Sequence, residues 1–219
     1  MRPKPTRVEI DHHTIKLIIG VIAISLATLT SIFSSSPLES ISASYHEEGW
    51  SSNIFVGFLF AISAFLLAYH GRSVFEMVIS KIAAVSALGV AMFPCSCGGH
   101  QEIIPHVHYI SATIMFLILV AFCYSFFRRA QSKGHIQAVF RAYIYAICGI
   151  TILISIAVIG LDFILDESIS LRISRLTFYC EAVALVAFGI AWLTASRILP
   201  LITRKDERLS ISPFKQSNA

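Results

Sequence analysis

His108 and Glu181 are the two residues of this chain best suited to polar chemistry inside an apolar setting. Each stands near the end of a long apolar run, where an ionisable side chain is costly unless it pairs or faces a wet cavity. If they converge, an imidazole and a carboxylate make a small ligand pocket. The same two groups could instead form an interhelical hydrogen bond, a contact worth about 1 kcal/mol in a bilayer. Asp162, near the end of another apolar run, is a third candidate for the pocket. Ser42, Tyr45 and His46, in a serine-rich connection, complete the candidate set.

The histidines raise the question of a metal. His100, His106 and His108, with Glu181, offer the donors that zinc takes, and His46, Glu47, Glu48 and Glu102 lie in the same kind of connection. Yet His106 and His108 are two residues apart, and such positions diverge on a helix. No H-x-x-x-H or C-x-x-C spacing occurs. No metal and no other cofactor is expected. Cys95-Ser-Cys97 has a single intervening residue, too tight for an ordinary bridge. Either cysteine can instead pair with Cys180, or all three stay as thiols. Cys123 and Cys148 sit inside apolar runs and read as small packing residues.

The elements that hold these residues follow from composition. Of 219 residues, 56% are hydrophobic and 14% charged, against about 25% charged in a soluble domain. The mean hydropathy is +0.74. Six apolar runs, at about 15–33, 54–69, 75–93, 108–127, 138–165 and 176–199, approach the roughly 20 residues that a helix needs to cross a bilayer. The second can begin as early as Trp50. The first is longer than the roughly 7–15-residue apolar region of a signal peptide and reads as an uncleaved anchor. The expectation is an all-α polytopic bundle of six transmembrane helices. It forms one domain over residues 1–219, with 200–219 as a cytoplasmic tail.

The basic residues alternate between connections. Arg2, Lys4, Arg7 and Lys16 precede the first run or open it; Arg72 follows the second; Arg128, Arg129, Lys133 and Arg141 follow the fourth. Arg197, Arg204, Lys205, Arg208 and Lys215 follow the sixth. Connections 34–53 and 94–107 have no Lys or Arg, and in 166–175 Arg172 and Arg175 are offset by Asp166 and Glu167. Cytoplasmic loops carry the Lys/Arg excess, so both termini are expected inside a plasma (inner) membrane. The net charge of +4 is therefore a topology signal, and nucleic acid is excluded as a partner. Lys81 reads as a snorkelling lysine. Tyr69, Trp50 and Tyr109 read as interfacial aromatics, and Trp192 as bundle packing.

Several stretches carry a resemblance. Residues 40–45, 53–62 and 66–71, then Val90 to Pro94, His108 to Ala112 and 181–193, look like bacterial six-helix membrane proteins of the DUF998 type. More distantly the layout is similar to the Frag1/DRAM/Sfk1 group. That group likewise has a His at the outer start of helix four and a Glu early in helix six, the places of His108 and Glu181. The resemblance implies the six-helix fold and, through the wider group, an association with lipid remodelling and phosphoinositide regulation. The segment Tyr45-His46-Glu47 and the Cys-Ser-Cys-Gly-Gly-His stretch at 95–100 depart from the pattern.

The expected function is that of a non-enzymatic membrane protein. It binds a lipid, small molecule or partner through an outward-facing polar pocket, with membrane lipid as its constant neighbour. The alternatives are a membrane-embedded lipid-modifying enzyme or hydrolase using His108, Glu181, Ser42 and His46, and a small-solute transporter using Lys81, Asp162 and Glu181. The connections contain no Walker, G-x-S-x-G or H-E-x-x-H motif, and no internal repeat marks a transporter.

Overall fold

A computed structural model describes residues 12–101, 103–204 and 207. Arg2, Lys4, Arg7, Glu102, Lys205, Arg208 and Lys215 lie outside the described residues. Six helices are long and apolar enough to cross a membrane. They are α1 His12–Ile32, α2 Trp50–Ala68, α3 Val74–Met92, α4 Val107–Gln131, α5 Ile136–Ile164 and α6 Leu176–Ser196. No strand occurs among the described residues. The second helix does begin at Trp50.

The helices form a closed ring. Each packs on its neighbours in the chain, and α1 completes the ring against α6. Outward-facing positions hold exposed large apolar residues, among them Val21, Phe60, Val85, Leu117, Ile150 and Ile154. Water would not tolerate apolar surface on every helix; hydrocarbon does. The ring's interior is filled by aromatic rings around Trp192. Its centroid lies 5.3 Å from that of Tyr69, 5.2 Å from Phe122 and 5.3 Å from Phe188.

Two helices approach so closely that only glycine fits. A Cβ on Gly189 would stand 2.8 Å from the carbonyl oxygen of Gly20, and one on Gly20 would stand 3.0 Å from that of Gly189. Small residues at such crossings let backbones meet and collect dispersion contacts, which drive helix association in lipid. This pair joins α1 to α6.

The two ends of the ring differ. One end carries the start of α1, the α2–α3 turn, the α4–α5 turn and the end of α6, and holds most of the described Lys and Arg residues. The other carries the three longer connections and is here called the loop end. At the basic end, α3 is started by Ser73, whose side chain accepts from the Glu76 N–H, the helix N-cap arrangement. Gly71 takes φ +64° in the preceding turn, where a Cβ would strike the Glu76 side chain.

Two expectations are corrected at the basic end. Tyr69 is not an interfacial aromatic; it is fully buried among the ring's aromatic residues, because the chain turns inward where α2 ends. Lys16, counted among the topology charges that open the first run, is buried. It lies within α1, 2% exposed, with its ammonium 5.4 Å from the Tyr69 ring centroid and 5.2 Å from that of Phe126, where ring faces attract a cation. Lys81 reaches back along α3 to donate to the carbonyls of Leu67 and Tyr69 at the end of α2, satisfying acceptors that a helix end leaves free.

Candidate functional site

The loop end is a folded shell fastened to the helices. Residues 38–42 of the first connection run beside the start of α6 and are held there by four backbone groups. Arg175 Nε donates to the Leu38 carbonyl at 2.7 Å, and the Phe178 N–H donates to the Glu39 carbonyl at 3.0 Å. The Ile41 and Ser42 N–H groups donate to Glu181 Oε2 at 2.6 and 3.4 Å, and Ser42 Oγ donates to Oε1 at 3.3 Å. The chain then winds into a 3-10 turn, Ser42–His46, in which Ser44 is fully buried.

A carboxylate accepting three hydrogen bonds is well compensated for leaving water. Glu181 is therefore placed as a clamp between the first connection and α6, and Ser42 is its partner. Arg175 was missed by sequence reasoning, which counted it only as loop charge. Its guanidinium stacks 4.3 Å from the Phe178 ring centroid, and its backbone takes φ +63°. A non-glycine residue in that region is uncommon.

The second connection is tied to the first. His46 Nε2 donates to the Cys95 carbonyl at 2.8 Å, and the His46 and His100 rings stack at 4.0 Å. Tyr45 packs edge-on against His46, and Ser40 Oγ lies 3.7 Å from Cys97 Sγ. His108, 2% exposed, donates through Nδ1 to the Phe93 carbonyl at 2.8 Å, joining the start of α4 to the end of α3. Tyr109, one residue on, shares a hydrogen bond with Ser96.

Cys95 and Cys97 are joined by a disulfide, which corrects the expectation that either would pair with Cys180 or stay reduced. The chain folds back through Ser96, bringing the two Cα atoms to 5.2 Å, within the usual range for a bridge. Cys180 is a free thiol, as are the buried Cys123 and Cys148.

Asp162 closes the third connection. It accepts from the Ile169 and Ser170 N–H groups at 2.9 and 3.0 Å and from Ser170 Oγ at 2.6 Å. Its carboxylate thus serves the turn after α5. Among the described residues no three His, Cys, Asp or Glu side chains come close enough to hold a metal ion.

Beside this shell, at the end of α1, lies an open groove of about 490 Å³ lined by Ile32, Phe33, Ser34, Ser35 and His46 to Glu48. Ile32 and Phe33 bring exposed apolar surface to it, and Glu47 and Glu48 bring carboxyl groups. The Ser35 hydroxyl and N–H donate to Glu47 at 2.6 and 3.0 Å. These bonds hold the Glu47 carboxyl below its ordinary range, because they favour the charged form.

A second buried carboxylate escaped sequence reasoning altogether. Glu76, fully buried in the first turn of α3, forms an ion pair with Arg129 of α4. It also accepts from Ser125 Oγ at 2.6 Å, Tyr69 OH at 3.2 Å and the Arg72 N–H at 2.9 Å. The spacing Ser73-x-x-Glu76 signals a helix start, but not that the side chain would turn inward toward α4.

Comparison with protein-family models, characterised proteins and solved structures finds no match to this chain.

Proposed function

We propose that this multi-pass membrane protein of the DUF998 type is a non-catalytic binder of an amphiphile with a cationic or zwitterionic head, held in the groove at the loop end. The observation that carries the reading is the groove's composition, with exposed Ile32 and Phe33 beside Glu47, Glu48 and His46. An acyl chain matches the first pair and an amine head the carboxylates. Glu181, Asp162 and His108 serve as positioning residues that brace the loop-end connections, with Ser42 and Tyr45 in the first of them.

The clamp favours binding over hydrolysis. Ser42 Oγ donates to a carboxylate that already takes two backbone N–H groups, an arrangement that fixes a loop rather than activates a nucleophile. The aromatic filling around Trp192 supports a packed bundle over a conduit. The clustering of Lys and Arg at one end supports that end as cytoplasmic, with the groove on the other side of the membrane.

The test uses the full chain in nanodiscs with fluorescently labelled phosphatidylethanolamine and phosphatidylglycerol as probes. Saturable binding of the first, weakened several-fold by Glu47→Gln, is expected. Equal binding of both probes, insensitive to Glu47→Gln, would overturn the reading. Labelling of a probe cysteine at Lys133 by an impermeant reagent in intact cells would overturn the orientation.

A further inference from the structure

At the basic end, six cationic side chains, Lys16, Arg72, Arg129, Lys133, Arg141 and Arg197, line one cavity among α1, α4, α5 and α6. Such a concentration at the end of a membrane bundle is costly unless anions compensate it. Among the described residues two carboxylates reach this group. Glu76 pairs with Arg129 and has both oxygens occupied by Ser125, Tyr69 and the Arg72 N–H, so it has little left to offer the others.

The second is Glu207, which follows the last helix. It pairs with Lys133, accepts from Arg141 Nη2 at 2.9 Å and lies 4.0 Å from Arg197 Nη1. Arg141 is 3% exposed, and its other terminal nitrogen donates to the Ile202 carbonyl at 2.8 Å. Three cations from the α4–α5 turn, α5 and the end of α6 thus converge on one carboxylate. The cavity beside this contact holds about 30 Å³, space for a water or two at about 10–15 Å³ each.

We propose that the cationic cluster beside this cavity is a site for a phosphate-bearing anion, and that Glu207 is its displaceable internal counterion. A carboxylate offers one charge and two oxygens. A phosphate monoester offers up to two charges and three oxygens, which suit the planar donor forks of Arg141 and Arg197 and the point charge of Lys133. Glu207 itself lies outside the six helices, so its withdrawal leaves the helix–helix contacts of the ring in place. The phosphate could belong to a lipid headgroup level with this end of the bundle or to a soluble phosphate compound.

The experiment uses the full chain and two variants, Glu207→Gln and Lys133→Gln/Arg141→Gln. In one arm, nanodiscs of phosphatidylcholine alone are compared with nanodiscs containing phosphatidylinositol 4-phosphate, and bound lipid is read by native mass spectrometry. In the other, the protein in neutral detergent is titrated with glycerol 3-phosphate and thermal stabilisation is read. Binding in the first arm alone identifies a lipid, and binding in the second a soluble phosphate.

Glu207→Gln should tighten binding about tenfold, the equivalent of one charge-assisted contact of about 1.4 kcal/mol. The double variant should weaken it by at least as much. No binding in either arm, or binding that Glu207→Gln leaves unchanged, would overturn the proposal. Should the double variant fail to fold, the Glu207→Gln comparison decides alone.

Discussion

Ser42 and Glu181, 139 residues apart in the chain, meet at 3.3 Å, and the contact sews the first loop-end connection to the last helix. The bond is one of three that Glu181 accepts there, and with Arg175 it makes the loop end a fixed surface.

Glu181→Ala removes the acceptor of two backbone N–H groups and one hydroxyl. Bonds to a charged group are worth about 1.5–3 kcal/mol net, and orphaned donors add to the loss. The variant should be destabilised by about 2–3 kcal/mol, and Ser42→Ala by about 1 kcal/mol or less. Thermal unfolding in detergent checks both. Equal effects of the two substitutions would mean that Glu181 does not hold the backbone.

Gly189→Ala places a methyl group 2.8 Å from the Gly20 carbonyl and against Ile24. Helix backbones cannot yield as a flexible side chain can, so α1 and α6 must part, at about 1–3 kcal/mol. Gly57→Ala is the control. It lies within α2 with nothing within 4 Å of the added carbon, and should be neutral or stabilising by up to about 1 kcal/mol. Size-exclusion stability after heating separates the two. A Gly189→Ala protein as stable as Gly57→Ala would contradict the close crossing.

Glu76→Gln leaves Arg129 without its counter-charge. Breaking a buried ion pair costs about 3–5 kcal/mol. Arg129 is one-quarter exposed and recovers some hydration, which places the loss at the lower end, about 3 kcal/mol. In Glu76→Gln/Arg129→Gln no lone charge remains, so the double variant should be more stable than the single one. A strictly additive double-mutant cycle would refute the coupling.

Glu207 gives the fold an acid-sensitive contact. Burial alone would raise its carboxyl, but the Lys133 hydrogen bond and the charges of Arg197 and Lys133 prevail and bring it from 4.5 down to about 2. A carboxyl depressed on folding stabilises the folded state above its unfolded value and loses that contribution as pH falls through the folded one. The melting-temperature difference between the protein and Glu207→Gln should therefore be constant from neutral pH to about 5, then shrink between about 4.5 and 2. A difference that grows on acidification would show the opposite sign and remove Glu207 from the cluster.

The helices were legible because each apolar run is long, uninterrupted and bounded by charged or small polar residues. Trp50 as the start of α2 could be read for the same reason: no breaker separates it from Ile54. The long-range pairings were not legible. Glu181 was marked as costly at its depth, but nothing in one sequence says that Ser42 and the Ile41 backbone, rather than another helix, supply its donors. Glu76 and Lys16 lie within a turn or so of a helix end, where charge is ordinary; their burial depends on helix rotation, which apolarity on all sides does not encode. Tyr69 misled for that reason too, since an aromatic at a span's end suits both the headgroup layer and the interior. The Cys95–Cys97 bridge was passed over because spacing alone ignores the sharp reversal at Ser96.

The Gly20–Gly189 crossing has a consequence for how the protein is made. It pairs α1 with a helix that follows four others in the chain, so α1 must wait in the bilayer with one flank bare until α6 is inserted. The sixth helix therefore acts as a latch: α2 to α5 can associate as they emerge, but the ring shuts only when α6 has followed them. A product truncated before α6 would leave that flank open to lipid or to quality-control proteases, and a separately expressed α6 could rescue it by docking there.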